Sequence, residues 1–528
     1  MSRSLEAAPA RSLFSFLASR AGRRLATAAA LAASLAACHS AAPRQPTTTP
    51  TAPASVTTTP VESLQERVRT LLADPALAPG TWGLQIRSLR SGDTLVDVGA
   101  HRLLMPASTM KTVTLAVAAD QLGWDYSFET KLVATGPIAD GALNGDLVIV
   151  GSGDPSLDDW DGTASSVFAS WAAQLKALGV RTITGRIIGD DRVVTDSGFG
   201  RGWMWDDMAE DYSPPVSGLQ FNQGVAKIIV SPGAAPAAPA VMTTWPAFAP
   251  LRVVNTVTTG PAGSRTSVSV TASAVSSTFT VAGTIASDSA PVTRFTSVLT
   301  PTQYFVNAAR TGLMAEGIDV RGQAVDIDDV NDPPAVNESA AIITYRSQPL
   351  PVLASTLMQL SQNMYAETLL HTLGRLRGTA GTSDAGRDVV QKVLASWGIP
   401  TSELVMADGS GLSRYDLVTP NLLASVLAHV HADARLRADY LSALPVAGKP
   451  GMLERRMKGT LAEGNATAKT GSFTNARALA GFVNTRDGEP LVYSLIANQY
   501  GIPTANIDRV MDAIVVSLAE FSRTPGPH

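Results

Sequence analysis

The chain has 528 residues, more than one hydrophobic core usually supports, so two or three domains are expected. A formal net charge of −4 and a sequence pI near 5.9 offer no basic surface, and nucleic acid is therefore not an expected partner. With 45% hydrophobic and 16% charged residues, the composition is typical of a globular protein.

Residues 1–37 have the pattern of a secretory signal peptide. Arginines precede an apolar run at 25–37 that is too short to span a membrane as a mature helix. The run ends in Leu-Ala-Ala followed by Cys38, which resembles a bacterial lipobox, and Cys38 is the only cysteine of the chain. We expect Cys38 to become a lipidated first residue. The alternative is an ordinary secretory signal that is cut at a small residue, with Cys38 discarded.

A linker at 38–60 follows the signal. It is rich in Pro, Thr, Ala and Ser, a composition that favours an extended tether over a packed fold. His39, rather than Asp, after the cysteine resembles lipoproteins that are sent to the outer membrane. The sequence therefore predicts a periplasmic protein that is attached to the outer membrane by an N-terminal lipid anchor.

The first elements of the folded part form a strand, a turn and a second strand. Residues 81–89 and 94–98 alternate in polarity around a Ser-Gly-Asp turn, which predicts a β-hairpin. A helix is then expected that carries Ser108 near its N-terminus and Lys111 one turn later, with Gly123 as its stop.

A long insertion separates Lys111 from Ser361, with 249 residues between them. Its middle is rich in Val, Thr and Ile, which predicts mostly β structure, and a helix is expected at 301–316. The predicted organisation is a catalytic domain in two parts, 61–128 and 345–528, around inserted domains at 129–344, which divide into 129–155 with 290–344 and 156–289.

The pattern after Ser361 becomes helical. Near the end of the chain, residues 476–484 and 491–498 flank an Arg-Asp-Gly turn and predict a second hairpin. Apolar residues then repeat at helical spacing over 507–521, and this last helix is expected to lie on the catalytic sheet.

Three short motifs, far apart in the chain, belong to one chemistry. They have the S-x-x-K, S-x-N and K-T-G patterns of penicillin-interacting serine enzymes, in the order that those enzymes use. The motifs are Ser108-Thr109-Met110-Lys111, Ser361-Gln362-Asn363 and Lys469-Thr470-Gly471-Ser472. Each pattern is weak alone, but their joint occurrence in this order predicts acyl transfer through a serine.

Serine is a poor nucleophile until a base takes its proton, and Lys111 lies one helical turn from Ser108. A lysine can act as a base near pH 7 only if burial or a nearby cation lowers its pKa, and Lys469 could supply that second charge. We therefore predict Lys111 as the general base, with a proton relay through Ser361 to the leaving amine.

The remaining motif residues are expected to bind the substrate. The backbone N–H groups of Ser108 and Ser472 are the predicted donors to the oxyanion. Lys469, Thr470 and Ser472 offer a charge and hydroxyl groups to a terminal carboxylate, and Asn363 could hold the substrate amide. No metal and no cofactor is needed for this chemistry.

From about residue 61 onward, the chain resembles the D-alanyl-D-alanine carboxypeptidase/endopeptidase family, the class C low-molecular-mass penicillin-binding proteins. Besides the motifs, the resemblance includes the large insertion and four further segments, 151–157, 202–208, 408–415 and 444–448. It implies a β-lactamase/transpeptidase-like catalytic domain of the α/β (α+β) class with an antiparallel sheet, plus large β-rich inserted domains.

The resemblance also implies an activity and its partners. The expected substrates are peptidoglycan peptides that end in D-alanine, and β-lactams are expected to inhibit. A pocket for the free end of a diaminopimelate side chain would be lined by Asp207, Tyr212 and Arg414. That end carries one ammonium and one carboxylate, which Asp207 and Arg414 could pair respectively.

Two other functions stay open from the sequence alone. One is a penicillin-binding sensor or cell-wall scaffold that does not turn over, and the other is a serine β-lactamase. A β-lactamase needs a second base for deacylation; Glu367 lies in a superficially similar sequence, but its helical context favours helix surface and core. His429 and His431 echo a zinc pattern, yet positions two apart on a helix diverge.

Overall fold

The computed structural model describes residues 59–273, 276 and 278–524, and these belong to one compact unit. The predicted signal peptide, Cys38 and nearly all of the predicted linker lie outside the described residues. Within the described part, no helix is both long and apolar enough to cross a bilayer.

The helices are distributed over the whole described chain. In chain order they are α1 (Pro60–Leu72), α2 (Met110–Leu122), α3 (Thr163–Ala177), α4 (Pro301–Ala315), α5 (Leu350–Gln359), α6 (Asn363–Arg377), α7 (Ser383–Ser396), α8 (Pro420–Ala432), α9 (Ala434–Ala443) and α10 (Thr504–Glu520).

The strands fall into a first hairpin, a long inserted series and a final group. In chain order they are β1 (Thr81–Ser88), β2 (Thr94–Val98), β3 (Glu129–Ala134), β4 (Ile138–Ala139), β5 (Ala142–Leu143), β6 (Leu147–Val150), β7 (Thr182–Ile183), β8 (Ile187–Asp190), β9 (Val225–Ser231), β10 (Val241–Trp245), β11 (Arg252–Asn255), β12 (Thr258–Gly260), β13 (Ser267–Ala272), β14 (Thr278–Ala286), β15 (Val292–Ser297), β16 (Asp319–Val320), β17 (Ala324–Asp326), β18 (Ile343–Arg346), β19 (Leu404–Val405), β20 (Leu417–Val418), β21 (Thr467–Phe473), β22 (Ala476–Asn484) and β23 (Pro490–Asn498).

One antiparallel sheet joins the two ends of the chain. Its strand order is β2-β1-β23-β22-β21, so strands from residues 81–98 and 467–498 lie side by side. One face of this sheet packs on α1 and α10, and the other packs on a larger core built from α2 and α5–α9. The sheet is therefore buried on both faces between two helical layers.

Several sequence predictions around this sheet are confirmed. Both predicted hairpins form, the last helix packs on the sheet, and Gly123 ends α2 with a φ of 81°. Glycine adopts this left-handed conformation at little cost, which explains the stop.

The insertion forms two main cores of its own, and a smaller apolar cluster lies on the second face of the sheet in the first. The first contains a five-stranded sheet, in the order β17-β8-β6-β3-β18, with α3 and α4 packed on it. The second is a small β core made by the sheets β10-β9-β15 and β11-β14-β12, with β13 paired to β14. A connection at 191–221 runs from the first core to the second and carries several residues that reach the catalytic domain.

The sheet pairing divides the insertion at other residues than the predicted subdivision. β8, which was assigned to 156–289, pairs with β6 in the first core, and β15, which was assigned to 290–344, pairs with β9 in the second. The insertion also contains α3, which the expectation of mostly β structure omitted. Its Ala- and Ser-rich sequence supplies few of the apolar repeats that mark a helix, although Phe168, Trp171 and Leu175 are buried at helical spacing.

Candidate active site

The nucleophile predicted from the first motif lies on a tight turn that leads into α2. Residues Ala107–Thr109 form a 3-10 turn, and Ala107 has a φ of 46°, which a residue with a side chain seldom adopts. Lys111 follows one turn later, and its Nζ atom lies 2.9 Å from the Oγ atom of Ser108. The predicted pairing of these two side chains is therefore present.

The other partners of Lys111 determine what its amine can do. Its Nζ donates to the Oδ1 atom of Asn363 at 2.6 Å and to the Ser410 carbonyl at 2.7 Å. A carbonyl oxygen can only accept, so a neutral amine uses both of its N–H groups on these two partners. Its lone pair then remains for the hydroxyl proton of Ser108. This arrangement suits a general base.

Burial allows the amine of Lys111 to be uncharged near pH 7. The side chain is fully buried, and burial lowers its pKa to about 7, against the attraction of Asp408, Glu367 and Asp416. The sequence reasoning named burial or the charge of Lys469 as the cause. In the structure, burial is the cause for Lys111, whereas repulsion between the two amines adds to burial in lowering the pKa of Lys469 well below its usual value.

Lys469 and Ser361 form a second pair of hydroxyl and amine. The Nζ atom of Lys469 lies 2.8 Å from the Oγ atom of Ser361 and 2.9 Å from the Thr470 carbonyl. Ser361 has a φ of 61°, a strained conformation for a residue with a side chain. The next side chain, Gln362, donates to Gln223 of the insertion and so ties this turn to the neighbouring lobe.

Asn363 is held from both sides of its amide. While its Oδ1 accepts from Lys111, its Nδ2 donates to the backbone carbonyl of Tyr212 at 2.7 Å. The two contacts fix the orientation of the amide and commit one of its two N–H groups. Its predicted contact with the substrate amide remains a prediction, and its visible role is to orient the base.

Two glycines allow the nucleophile turn to approach its neighbours. A Cβ atom on Gly471 would lie 2.4 Å from the Pro106 carbonyl, and one on Gly411 would lie 1.9 Å from the Ala107 carbonyl. Gly411 also has a φ of 77°. The turn that presents Ser108 is thus clamped between β21 and the 407–413 loop at a distance that only glycine permits.

β21 is the last strand in the order of its sheet, and only its beginning is covered on the outer side, where Thr467 bridges Val446 and the Ala468 N–H donates to the Pro445 carbonyl. From Lys469 onward, alternate backbone groups point away from β22 with no described strand beside them. Thr470 is buried and Ser472 is exposed on this strand. An extended peptide could therefore add to this edge with its carboxyl end near both hydroxyls. The predicted oxyanion donors, the N–H groups of Ser108 and Ser472, remain a prediction.

The residues predicted to bind a side-chain terminus contact different parts of the site. Tyr212 donates its hydroxyl to the Oδ1 atom of Asp207 at 2.7 Å, and its carbonyl binds Asn363. Arg414 instead lies over the Phe473 ring, 4.3 Å from its centre, and reaches the Thr474 carbonyl at 3.4 Å. Among the described residues, no hydrogen bond or ion pair joins Arg414 to Asp207.

Sequence reasoning missed a set of buried carboxylates around the 407–413 loop. Glu367 accepts from the N–H groups of Gly409 and Ser410, and Asp416 accepts from those of Ala407 and Asp408. Asp408 accepts from Gly411 and Ser413, and also from the indole of Trp203. The sequence offered two signals. One was an acidic residue within the apolar pattern of α6, which was assigned to helix surface and core, and the other was the segment 408–415, in which only Arg414 was given a role.

A possible metal arrangement lies elsewhere. Carboxylate oxygens of Asp191, Asp326 and Asp328 approach within 4.8 Å of one another in the insertion. None of the three belongs to the motifs, and one is exposed. Burial, followed by the charge of Asp191, raises the pKa of Asp326 to about 7, so the group is compatible with a shared proton, and we assign it no role in the reaction.

Comparison with known proteins gives a family for almost the whole described chain. The family model "D-Ala-D-Ala carboxypeptidase 3 (S13) family" matches residues 64–521. The chain is 33% identical over 476 residues to a D-alanyl-D-alanine carboxypeptidase of Actinomadura sp., covering 88% of this chain and 86% of the relative. It is 25% identical over 423 residues to the D-alanyl-D-alanine carboxypeptidase DacB of Haemophilus influenzae, covering 79% and 85%.

A solved structure shares the fold. The crystal structure of penicillin binding protein 4 (dacB) from Haemophilus influenzae aligns with a TM-score of 0.75 at 24% identity and covers 86% of this chain and 99% of that one. The predicted fold class, a mixed α and β catalytic domain with an antiparallel sheet and a large insertion, is confirmed.

Proposed function

Because the chain belongs to the D-Ala-D-Ala carboxypeptidase 3 (S13) family and is similar to a D-alanyl-D-alanine carboxypeptidase and a penicillin-sensitive carboxypeptidase, we propose that it releases terminal D-alanine from peptidoglycan stem peptides through an acyl-enzyme on Ser108. The observation that carries the residue assignment is the environment of Lys111. Its two fixed acceptors, Asn363 and Ser410, leave the lone pair of a neutral amine for the Ser108 hydroxyl.

Acylation proceeds by addition and elimination. The Ser108 oxygen forms a bond to the carbonyl carbon of the penultimate D-alanine, while its proton moves to Lys111 and the carbonyl π pair moves to oxygen. When the carbonyl re-forms, the C–N bond breaks and the departing nitrogen takes a proton. Free D-alanine leaves, and the peptide remains as an ester on Ser108.

The second pair is placed to supply that proton. Lys469 lies against the Ser361 hydroxyl, which can donate to the leaving nitrogen while it is recharged from Lys469 or Lys111. In deacylation, a water molecule attacks the ester carbonyl, its proton passes to Lys111, and the Ser108 oxygen leaves with a proton. The enzyme returns to its starting state.

Recognition of a terminal carboxylate follows from the electrostatics of the buried amines. Burial and the charge of Lys111 disfavour the protonated form of Lys469 in the empty site. The negative charge of a bound carboxylate favours that protonated form, so the two groups bind as an ion pair. The hydroxyls of Thr470 and Ser472 on β21 add hydrogen bonds. A substrate whose terminal carboxylate is esterified should therefore bind and react poorly.

We propose that the enzyme also cuts D-alanyl-diaminopimelate crosslinks. The support is that Tyr212 contacts both Asp207 and Asn363, while Arg414 contacts the Thr474 carbonyl just after β21. An ammonium would face Asp207 and a carboxylate would face Arg414.

Release of D-alanine from a stem pentapeptide tests the main proposal. The wild type should release D-alanine and carry a penicillin adduct on the peptide that contains Ser108, as measured by mass spectrometry. Ser108→Ala should lose both. Ser396→Ala, which removes a hydroxyl that donates to the Val393 carbonyl of its own helix at 2.7 Å, is the matched control and should keep both. Adduct formation without D-alanine release would instead support a non-hydrolytic sensor.

The pocket is tested with two forms of one peptide, with the diaminopimelate terminus free or blocked. The wild type should prefer the free form, and Asp207→Asn and Arg414→Met should each reduce that preference while keeping activity on the blocked form. Equal loss on both forms would contradict the pocket. Digestion of crosslinked muropeptides then measures endopeptidase activity directly.

We further propose that the protein is a lipoprotein of the periplasm, attached to the outer membrane through Cys38. The support is the sequence alone: the apolar run, the lipobox-like ending and the single cysteine. Fatty-acid labelling of the wild type and of Cys38→Ser, followed by membrane fractionation, tests it. Equal labelling of both would contradict lipidation at Cys38.

A further inference from the structure

Glu367 lies one helical turn after Asn363 on α6, so the two side chains share a face of that helix. The Glu367 side chain is almost completely buried, and its oxygens accept from the Gly409 N–H at 3.0 and 3.1 Å and from the Ser410 N–H at 2.7 Å. One face of α6 therefore reaches Lys111 twice, directly through Asn363 and indirectly through Ser410.

We propose that Glu367 is a positioning residue for the general base: its buried carboxylate fixes the loop whose Ser410 carbonyl is one of the two acceptors that orient the amine of Lys111. The inference deepens the proposed function and rests on the acyl-enzyme at Ser108 with Lys111 as its base.

The geometry makes the Ser410 carbonyl dependent on Glu367. The Ser410 N–H binds Glu367 and its carbonyl binds Lys111, so the same residue is held at both polar atoms of its backbone. Hydrogen bonds from N–H groups to a carboxylate are stronger than those to a neutral acceptor. Without the carboxylate, two buried N–H groups lose their acceptor, and this loss destabilises the present position of the loop.

The remaining anchors of the loop hold other atoms. From α2, Thr114 donates its hydroxyl to the Gly409 carbonyl at 2.6 Å. Asp416 and Asp408 bind N–H groups on either side, at 407–408 and at 411 and 413. None of these contacts replaces the acceptor for Gly409 and Ser410, so Glu367 has a role that its neighbours do not duplicate.

The charges around Lys111 allow the proposal to be tested by the pH dependence of acylation as well as by its rate. The charged groups that act on Lys111 are Glu367 of α6, Asp408 and Asp416 in and just after the loop, and Lys469 of β21. His371 of α6 acts on Glu367 and pairs with Asp196 of the insertion. Glu367 and the two loop aspartates each attract the ammonium form of Lys111. Burial, followed by the charge of Asp408, raises the pKa of Glu367 to about 7, so its carboxylate is mainly ionised above that pH. Removing the charge of this ionised form should lower the pKa of Lys111.

The test compares Glu367→Gln with the wild type in the acylation of Ser108 by a fluorescent penicillin, with the rate expressed per titrated active site over a range of pH. Two changes are expected together. The plateau rate should fall about 10-fold or more, because the base is misaligned. The acid limb of the profile should move to lower pH, because Lys111 loses a neighbouring negative charge. With the stem pentapeptide, the loss should appear in kcat more than in KM.

Thr368→Val is the matched control. Thr368 is the next residue of α6 and equally buried, but its hydroxyl accepts from Gln220 of the insertion at 2.9 Å rather than from the loop. This variant should lose stability and keep both the rate per site and the acid limb. A Glu367→Gln enzyme that acylates at the wild-type rate with an unmoved limb would overturn the proposal, and so would a limb that moves equally in Thr368→Val.

If Glu367→Gln yields no active sites that penicillin can titrate, a second variant keeps the test possible. Glu367→Asp keeps the charge but is one methylene shorter; it should acylate slowly per site with an acid limb close to that of the wild type, and a wild-type rate would overturn the proposal. The wild type separates this inference from the proposed function. If the wild type carries no adduct at Ser108, the acyl-enzyme itself is wrong. If it does and Glu367→Gln is unaffected, only the role of Glu367 is wrong.

Discussion

The Nζ atom of Lys469 lies 2.8 Å from the Oγ atom of Ser361, so the second and third motifs meet as a hydroxyl and an amine, as the first motif does within itself. The site thus holds two such pairs, both built on a fully buried lysine. The two pairs can carry out different proton transfers. One accepts the proton of the nucleophile, and the other supplies a proton to the leaving group.

The first prediction follows from that division. Lys469→Met keeps most of the side-chain volume and removes the amine, so protonation of the leaving nitrogen should slow by about 10²-fold or more. A thioester substrate with the same terminal carboxylate loses the same binding contact, but its leaving group departs without a proton, so its kcat should fall much less. The ratio of amide to thioester turnover is the measurement, and an equal loss on both substrates would contradict the relay.

The second prediction concerns pH. Lys111 must be neutral to accept a proton, and burial lowers its pKa to about 7. The rate of acylation should therefore be low in acid, rise through about pH 7 and level off above it, because the ammonium form that predominates below the pKa has no lone pair. Stopped-flow acylation by a fluorescent penicillin measures this limb. A rate that falls with rising pH across the same region would rule out Lys111 as the base.

The third prediction compares two glycines with similar backbone conformations. Gly411 has a φ of 77° and Gly92 a φ of 81°, but a Cβ atom on Gly411 would lie 1.9 Å from the Ala107 carbonyl, whereas Gly92 has open space. Gly92→Ala should cost about 1–2 kcal/mol and leave acylation unchanged. Gly411→Ala should cost more and displace Ser108, with a large loss of acylation per folded molecule. Denaturant melts and penicillin labelling measure both effects.

The fourth prediction concerns an ion pair between the insertion and α6. His371 binds Asp196 at 3.0 Å. Burial acts to lower the pKa of His371, but the hydrogen bond and charge of Asp196 outweigh it and raise the pKa. Burial acts to raise the pKa of Asp196, but His371 lowers it to about 2. His371→Gln should therefore reduce the free energy of unfolding by about 1–3 kcal/mol while the pair is charged.

The sign of each pKa shift defines the pH range of that effect. The stability from the raised pKa of His371 is complete below about pH 6.5 and is lost as pH rises through the folded pKa. The stability from Asp196 is complete above about pH 4 and is lost as pH falls through its lowered value. Denaturant melts at several pH values should show the largest loss in His371→Gln between these limits. Arg321→Ala, which breaks an exposed pair with Asp319, is the control and should change stability by less than about 1 kcal/mol.

The motif residues could be predicted because each carries a chemical role that few residue types fill. Ser108, Lys111, Ser361 and Lys469 were identified from spacing and order, and the structure joins them in two pairs. Glu367 could not be assigned in the same way. Its function depends on the N–H groups of a loop more than forty residues later, and no local pattern encodes that contact.

Part of the fold could also be predicted from the sequence. Strand patterns and short turns predicted both hairpins of the catalytic sheet, because the paired strands are neighbours in sequence. The two cores of the insertion could not be separated by pattern, since β6 pairs with β8 across the α3 helix and β9 pairs with β15 across the second core. Pairings over such distances depend on tertiary packing rather than on local turns.

The catalytic sheet places β1 and β2 beside β23, β22 and β21, which come near the end of the chain. Its central strand, β23, is therefore missing until nearly the whole polypeptide has been made. A nascent chain that already displays Ser108 and Lys111 still lacks Lys469 and the edge that would receive a peptide. Premature termination after the insertion should accordingly yield a product with exposed strand edges and no capacity to be labelled by penicillin. Copies that end before β21 should therefore be unable to hydrolyse the cell wall.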